Sequence, residues 1–194
     1  WHENRTVIEV HIKTNSDSEE KAQERLDDIS VEFFANASLV SAKTLFNKNK
    51  KSWSFWGSNN NNVNIEVNYI IKIPITNSVD LNNDYGAISI DKLEGKAKIN
   101  CDYGQLRIGE LWANDNFLSF DYTSKSTIAY MKRGKIDADY SDFTLEKGES
   151  LELSADYTHS EILDIKNINY NCDYGKVVIE IAHTITGQGD YVTN

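Results

Sequence analysis

The residues best placed to do chemistry are seven aspartates, each followed directly by a tyrosine: Asp84-Tyr85, Asp102-Tyr103, Asp121-Tyr122, Asp139-Tyr140, Asp156-Tyr157, Asp173-Tyr174 and Asp190-Tyr191. A row of carboxylates offers the oxygen ligands that calcium takes. The spacing argues for something else. Successive pairs lie 18, 19, 18, 17, 17 and 17 residues apart. Seven of 10 tyrosines follow aspartate, where chance pairing with 16 aspartates predicts about one, so the pairs mark a repeat. The glycine-rich nonapeptide of calcium-binding β-rolls is missing. The pairs therefore read as turns in which each Asp accepts backbone N–H bonds.

The other candidates are scattered. The loop Trp53-Ser54-Phe55-Trp56 follows Lys48, Lys50 and Lys51 and precedes Asn59–Asn62. Trp53, Phe55 and Trp56 form the best ligand-binding candidate, for a glycan or an envelope protein, although aromatic rings more often serve packing. His2, His11, His159 and His183 share no metal or triad spacing. Lys132-Arg133 is one basic pair of the kind found in β-helical polysaccharide lyases. Asn4-Arg5-Thr6 and Asn36-Ala37-Ser38 match the glycosylation pattern, which is common by chance. Cys101 and Cys172 form no CxxC motif, and there is no HExxH. The expectation is no catalytic residue, no metal site and no cofactor.

A period of 17–19 residues suits one coil of a β-solenoid with two or three short strands per turn. Before each pair, apolar or small residues alternate, as in Ala97, Ile99 and Cys101. That is a strand with one buried face. After the pair a second alternation starts on the opposite parity, as in Leu106 and Ile108. One residue slips between 103 and 106, which places a corner there. Gly86, Gly104 and Gly175, or Thr123, Ser141 and Thr158, occupy the corner. Glycine there suits a positive φ or a close backbone approach. Parity with Ile99 and Cys101 points the tyrosine rings inward, at the core edge. A second corner is expected near Lys92–Gly95, Gly109–Asn114, Lys132–Gly134 and Lys147–Ser150. Six coils stacked at the strand spacing rise about 29 Å, and Cys101 and Cys172, four coils apart, stand about 19 Å from each other. A disulfide cannot span that distance. Both are expected as free, buried thiols.

Residues 1–78 lack the repeat. The spacing predicts a strand over residues 6–12, a helix over about 17–29 with Ala22, Leu26 and Ile29 on one face, strand-like residues 31–44, a loop over 47–62 and a strand from Val63 to Ile73. The chain thus reads as mainly β: an N-terminal β cap carrying one short helix over 1–78, and the β-solenoid over 79–194. The net charge of −10 excludes the basic footprint of a nucleic-acid binder. No apolar run is long enough for a membrane-spanning helix. Residue 1 is Trp and no signal-peptide pattern opens the chain, which reads as a fragment or a processed form.

Several stretches carry a family resemblance: Val67-Asn68-Tyr69 through Ile73-Pro74, Val79-Asp80-Leu81-Asn82-Asn83-Asp84-Tyr85-Gly86, Ile90-Asp91-Lys92-Leu93-Glu94-Gly95, and Cys101-Asp102-Tyr103-Gly104. They resemble the adhesin-like β-solenoid proteins of the Bacteroidota cell envelope, over most of the chain. Trp1 to Val10 is similar to that family's first solenoid turn, entered midway. The resemblance implies an upstream export signal and a periplasmic or cell-surface location. It implies no catalytic motif. The loop at 47–62 and Gly187-Gln188-Gly189, where core residues should stand, depart from the pattern.

The expected function is a non-enzymatic, adhesin-like binding or spacer module. The alternatives are a polysaccharide-active β-solenoid enzyme and a self-assembling element that stacks end to end on copies of itself.

Overall fold

The computed structural model describes residues 1, 3–47 and 63–191. The chain divides into two compact units, Trp1–Pro74 and Ile75–Asn194.

The first unit contains two small antiparallel sheets and one helix. Strand β1 (Val7–Asn15) pairs with β4 (Asn64–Lys72) over nine positions. Strands β2 (Ile29–Ala35) and β3 (Val40–Phe46) form a hairpin. Its turn is held by Asn36, whose side-chain oxygen accepts the N–H groups of Ser38 and Leu39, an Asx turn of the sort Asn favours. Helix α1 (Glu19–Asp27) is two residues shorter at each end than expected. Its N-cap is Ser18, whose hydroxyl accepts the Lys21 N–H. Ile29 does not extend the helical face but opens β2, and no helix residue is buried.

The second unit is a parallel β-solenoid. Its first coils use paired short strands: β5 (Val79–Asp84) and β6 (Ala87–Leu93), then β7 (Ala97–Asp102) and β8 (Gln105–Leu111). Strand β9 (Asn116–Asp121) leads into four long strands: β10 (Ser126–Asp139), β11 (Asp142–Asp156), β12 (His159–Asp173) and β13 (Lys176–Gln188). Every described pairing in this unit is parallel and joins residues one coil apart. The core is columnar as a result. Leu81, Ile99, Leu118, Ile136, Leu153 and Tyr170 form one column, and Ile90, Ile108, Ile128, Leu145 and Ile162 another. Like side chains stack because parallel pairing aligns equivalent positions of each repeat.

The second corner differs from expectation. The strands break at 94–96 and 112–115, but β10 and β11 run straight through Lys132–Gly134 and Lys147–Ser150. Gly134 and Gly148 let the chain pass closely there: a Cβ at 148 would sit 2.6 Å from Ile165. The coil after Asp121 breaks register as the sequence suggests. Its surplus residue is absorbed at Lys125, where φ is +54°, and Ser126 then returns to the inward column.

The last coil is formed despite Gly187. A Cβ at 187 would lie 2.4 Å from the Tyr170 ring, so the glycine admits that ring against the final strand. Cys101 and Cys172 are free and buried. Ser160 stands in a core column between Phe143 and Val177, and its hydroxyl is buried without a hydrogen-bond partner.

Candidate functional site

The first six Asp-Tyr pairs each follow a strand that ends on the Asp, the seventh lies two residues past the end of β13, and each tyrosine lies in the left-handed region, with φ from +51° at Tyr140 to +62° at Tyr85. This is the corner. The positive φ falls on the tyrosine, and the glycine after it answers close packing instead. A Cβ at Gly104 would lie 1.8 Å from the Gly86 carbonyl oxygen. Where Thr123, Ser141 and Thr158 replace glycine, their buried hydroxyls bond the backbone: Ser141 Oγ accepts the Thr123 N–H and Thr158 Oγ1 accepts the Ser141 N–H.

The left-handed turn reverses the expected direction of the rings. Alternation holds only while the backbone stays extended, and at φ near +50° the side chain swings out. Instead of lining the core edge, the tyrosines form an external stack. From Tyr85 to Tyr191, neighbouring rings are 4.8–5.1 Å apart and within 10° of parallel. The six intervals span about 30 Å, set by the strand spacing. The six rings from Tyr85 to Tyr174 are 50–58% exposed. Their faces cover one another, while edges and hydroxyls meet solvent.

The aspartates hold the corner together. From Tyr85 to Tyr174, each tyrosine N–H donates to the carbonyl of the Asp in the next coil at 2.9–3.0 Å. From Asp121 onward, the carboxylate accepts the N–H of that same next Asp, at 3.2, 3.0, 3.1 and 2.8 Å. The two bonds form a reciprocal clamp between coils, where the sequence pointed to a turn within one coil. A charge-assisted bond of this kind is stronger than a neutral one, and it offsets repulsion along the row. At Asp121 the balance still raises the pKa: partial burial leads, the Asp139 N–H opposes it, and the charges of Asp139, Asp102 and Asp137 add to it. Partial burial, then neighbouring tyrosines and aspartates, also raise the pKa of Tyr103 and Tyr140. These phenols stay neutral at ordinary pH and act as hydrogen-bond donors and acceptors.

Strain and stacking are comparable in size. A non-glycine residue in the left-handed region costs about 1–2 kcal/mol. A stacked aromatic pair returns about 0.5–1.5 kcal/mol beyond its burial. The ladder thus supports itself, and the strain alone does not demand a ligand.

The remaining sequence candidates do not converge. Trp53, Phe55 and Trp56 lie outside the described residues, as does His2. His11 is on β1, His159 opens β12 and His183 is on β13. Lys132 and Arg133 lie in β10. Among the described residues, no group of three or more His, Cys, Asp or Glu is arranged to hold a metal ion. Burial raises the pKa of both thiols, that of Cys172 to about 11, so neither is a thiolate nucleophile at neutral pH.

Two surface features were missed in the sequence. Trp112 packs on Tyr130 with centroids 4.7 Å apart, donates its indole N–H to Glu110 and carries Lys92 above its ring. Also, the outer face of β10–β13 bears a groove of about 430 Å³. Both join residues one coil apart, so the signal lay in aligning outward positions of the repeat as carefully as inward ones.

No protein family, curated protein or solved structure matches the chain. Among the described residues, no helix is long and apolar enough to cross a membrane, which says nothing of membrane-spanning strands.

Proposed function

We propose that the chain is a non-enzymatic, adhesin-like binding or spacer module of an exported cell-envelope protein, similar to the Bacteroidota solenoids. The observation that carries the reading is the external ladder. Six tyrosine N–H groups and the carboxylates of Asp121, Asp139, Asp156 and Asp173 are spent on joining coils, and what faces solvent is a long, regular surface. Such a surface suits contact along an extended ligand, whereas catalysis needs groups converging on one bond.

A screen of purified chain against glycans and envelope extracts, with release of cleavage products followed in parallel, tests this. Retention of an intact ligand is the expected result, and accumulation of shortened products would overturn it. A Trp53→Ala and Trp56→Ala variant in the same screen measures the contribution of these two side chains.

The last coil favours one second reading, end-to-end self-assembly. Ile181 and Ile185 of β13 are 60% and 55% exposed, and β13 ends the strand order of its sheet. An exposed apolar edge strand is a template for pairing. A sedimentation coefficient independent of concentration would reject it.

A further inference from the structure

The groove on the outer face of β10–β13 has a definite chemistry. Two outward rows border it, one residue per coil. The first runs Lys135, Glu152, Asn169 and Thr186, and the second Ser154, Asn171 and Gln188. The floor between them is the strand backbone at Leu153, Tyr170 and Gly187. Ser154, Asn169 and Thr186 make no side-chain hydrogen bond to protein among the described residues, and Asn171 only accepts one, from Gln188 at 3.4 Å. In the first row, one coil before Lys135, stands Phe117, an outward, half-buried ring on a face otherwise polar.

The chemistry selects among ligand classes. The walls offer amides and hydroxyls that donate and accept at once. The apolar part of the lining is confined to the floor, short of the predominantly apolar pocket that a lipid or a drug-like ligand needs. One lysine, balanced by Glu152 in a chain of net charge −10, is no footprint for nucleic acid. A peptide adding as a strand would pair along the free edge of β13, whereas the groove crosses the face of β11 and β12, which are already paired on both sides. What remains is a neutral polyhydroxylated chain.

We propose that this groove is an oligosaccharide subsite, with Asn169, Asn171 and Ser154 bonding sugar hydroxyls and Phe117 packing on a ring face. Its rows advance one residue per coil, about 4.8 Å, which suits an extended polymer lying along the solenoid. The proposal rests on the binding-module reading and names the ligand class of that module.

The test is a side-chain amide NMR titration of the whole chain with four neutral hexasaccharides: cellohexaose, mannohexaose, xylohexaose and chitohexaose. At least one should shift the Asn169, Asn171 and Gln188 amide signals. The double variant Asn169→Ala, Asn171→Ala should weaken that ligand by about thirtyfold, the loss of two net hydrogen bonds of about 1 kcal/mol each. Phe117→Ala should weaken it independently, and Ser89→Ala with Arg107→Ala, exposed on β6 and β8 after the tyrosine corner, should not. All these positions are on the surface, and unchanged circular dichroism confirms the fold. No shift with any of the four, or binding insensitive to both groove variants, overturns the subsite. In the second case the module still binds glycan elsewhere, so the broader reading survives. Cleavage of a hexasaccharide would overturn that broader reading instead.

Discussion

The two units of this chain build β-structure by opposite rules. In Ile75–Asn194 each coil stacks on neighbours that repeat its pattern, on both sides except at the two ends, and apolar columns run through the stack. In Trp1–Pro74 the strands pair only two by two. The core records the difference. Of the 25 buried apolar residues among those described, Ile29 is the one from the first unit, and the other 24 belong to the solenoid. Phe33 and Phe34 of β2 are 60% and 53% exposed. A two-stranded sheet has little surface to bury and is marginal alone, whereas stacked coils share a core and add one interface per repeat. Regularity, more than strand content, confers order here.

The largest predicted effect follows from this contrast. Phe120 is fully buried and meets Phe143 edge to face at 5.5 Å. Phe120→Ala should cost about 3–5 kcal/mol, as large-to-small core changes do. Phe33→Ala should cost under about 0.5 kcal/mol, as for exposed positions. Urea denaturation of the two variants measures both, and similar losses would erase the distinction between the units.

A middle-sized effect probes the ladder. Tyr122 stacks on Tyr103 at 4.9 Å and Tyr140 at 5.0 Å, at φ +52°. Tyr122→Ala loses both stacks and keeps the strain, a cost of about 1–3 kcal/mol. Tyr122→Gly loses the stacks and relieves the strain, so it should be milder by about 1 kcal/mol. If alanine proves the milder of the two, the left-handed corner is misassigned.

The smallest effect is electrostatic. The pKa of Asp121 is raised, chiefly by partial burial. A carboxyl whose folded pKa exceeds its unfolded value contributes stability that is full below the unfolded pKa and lost as pH rises through the folded one. Asp121→Asn, which keeps an oxygen for the Asp139 N–H, should therefore raise Tm slightly at pH 7. The gain should vanish near pH 3, where Asp121 is protonated. A loss of Tm at pH 7 would mean that the clamp depends on the charge.

Much of this architecture was legible in the chain. The Asp-Tyr period locates the coils, alternation before and after it names the core columns, and equivalent positions for Cys101 and Cys172 separate the thiols. The ring direction was not legible from parity, because parity assumes extended backbone and each tyrosine leaves it. The second corner does not form at Lys132–Gly134 and Lys147–Ser150, since charged and glycine-bearing stretches also suit a continuous strand. The groove at Glu152 and Asn169 escaped notice because outward residues vary from coil to coil. Only the register shows which of them share a wall.

Native-state hydrogen exchange tests the central contrast most directly. Amides of Ile99, Leu118, Ile136 and Leu153, in the stacked coils, should exchange only through global unfolding. Amides of Val31 and Phe33 in β2 should exchange through local opening, orders of magnitude faster. Equal protection of the two sets, or greater protection in β2, would contradict the account that stacking of repeated coils is what orders this chain.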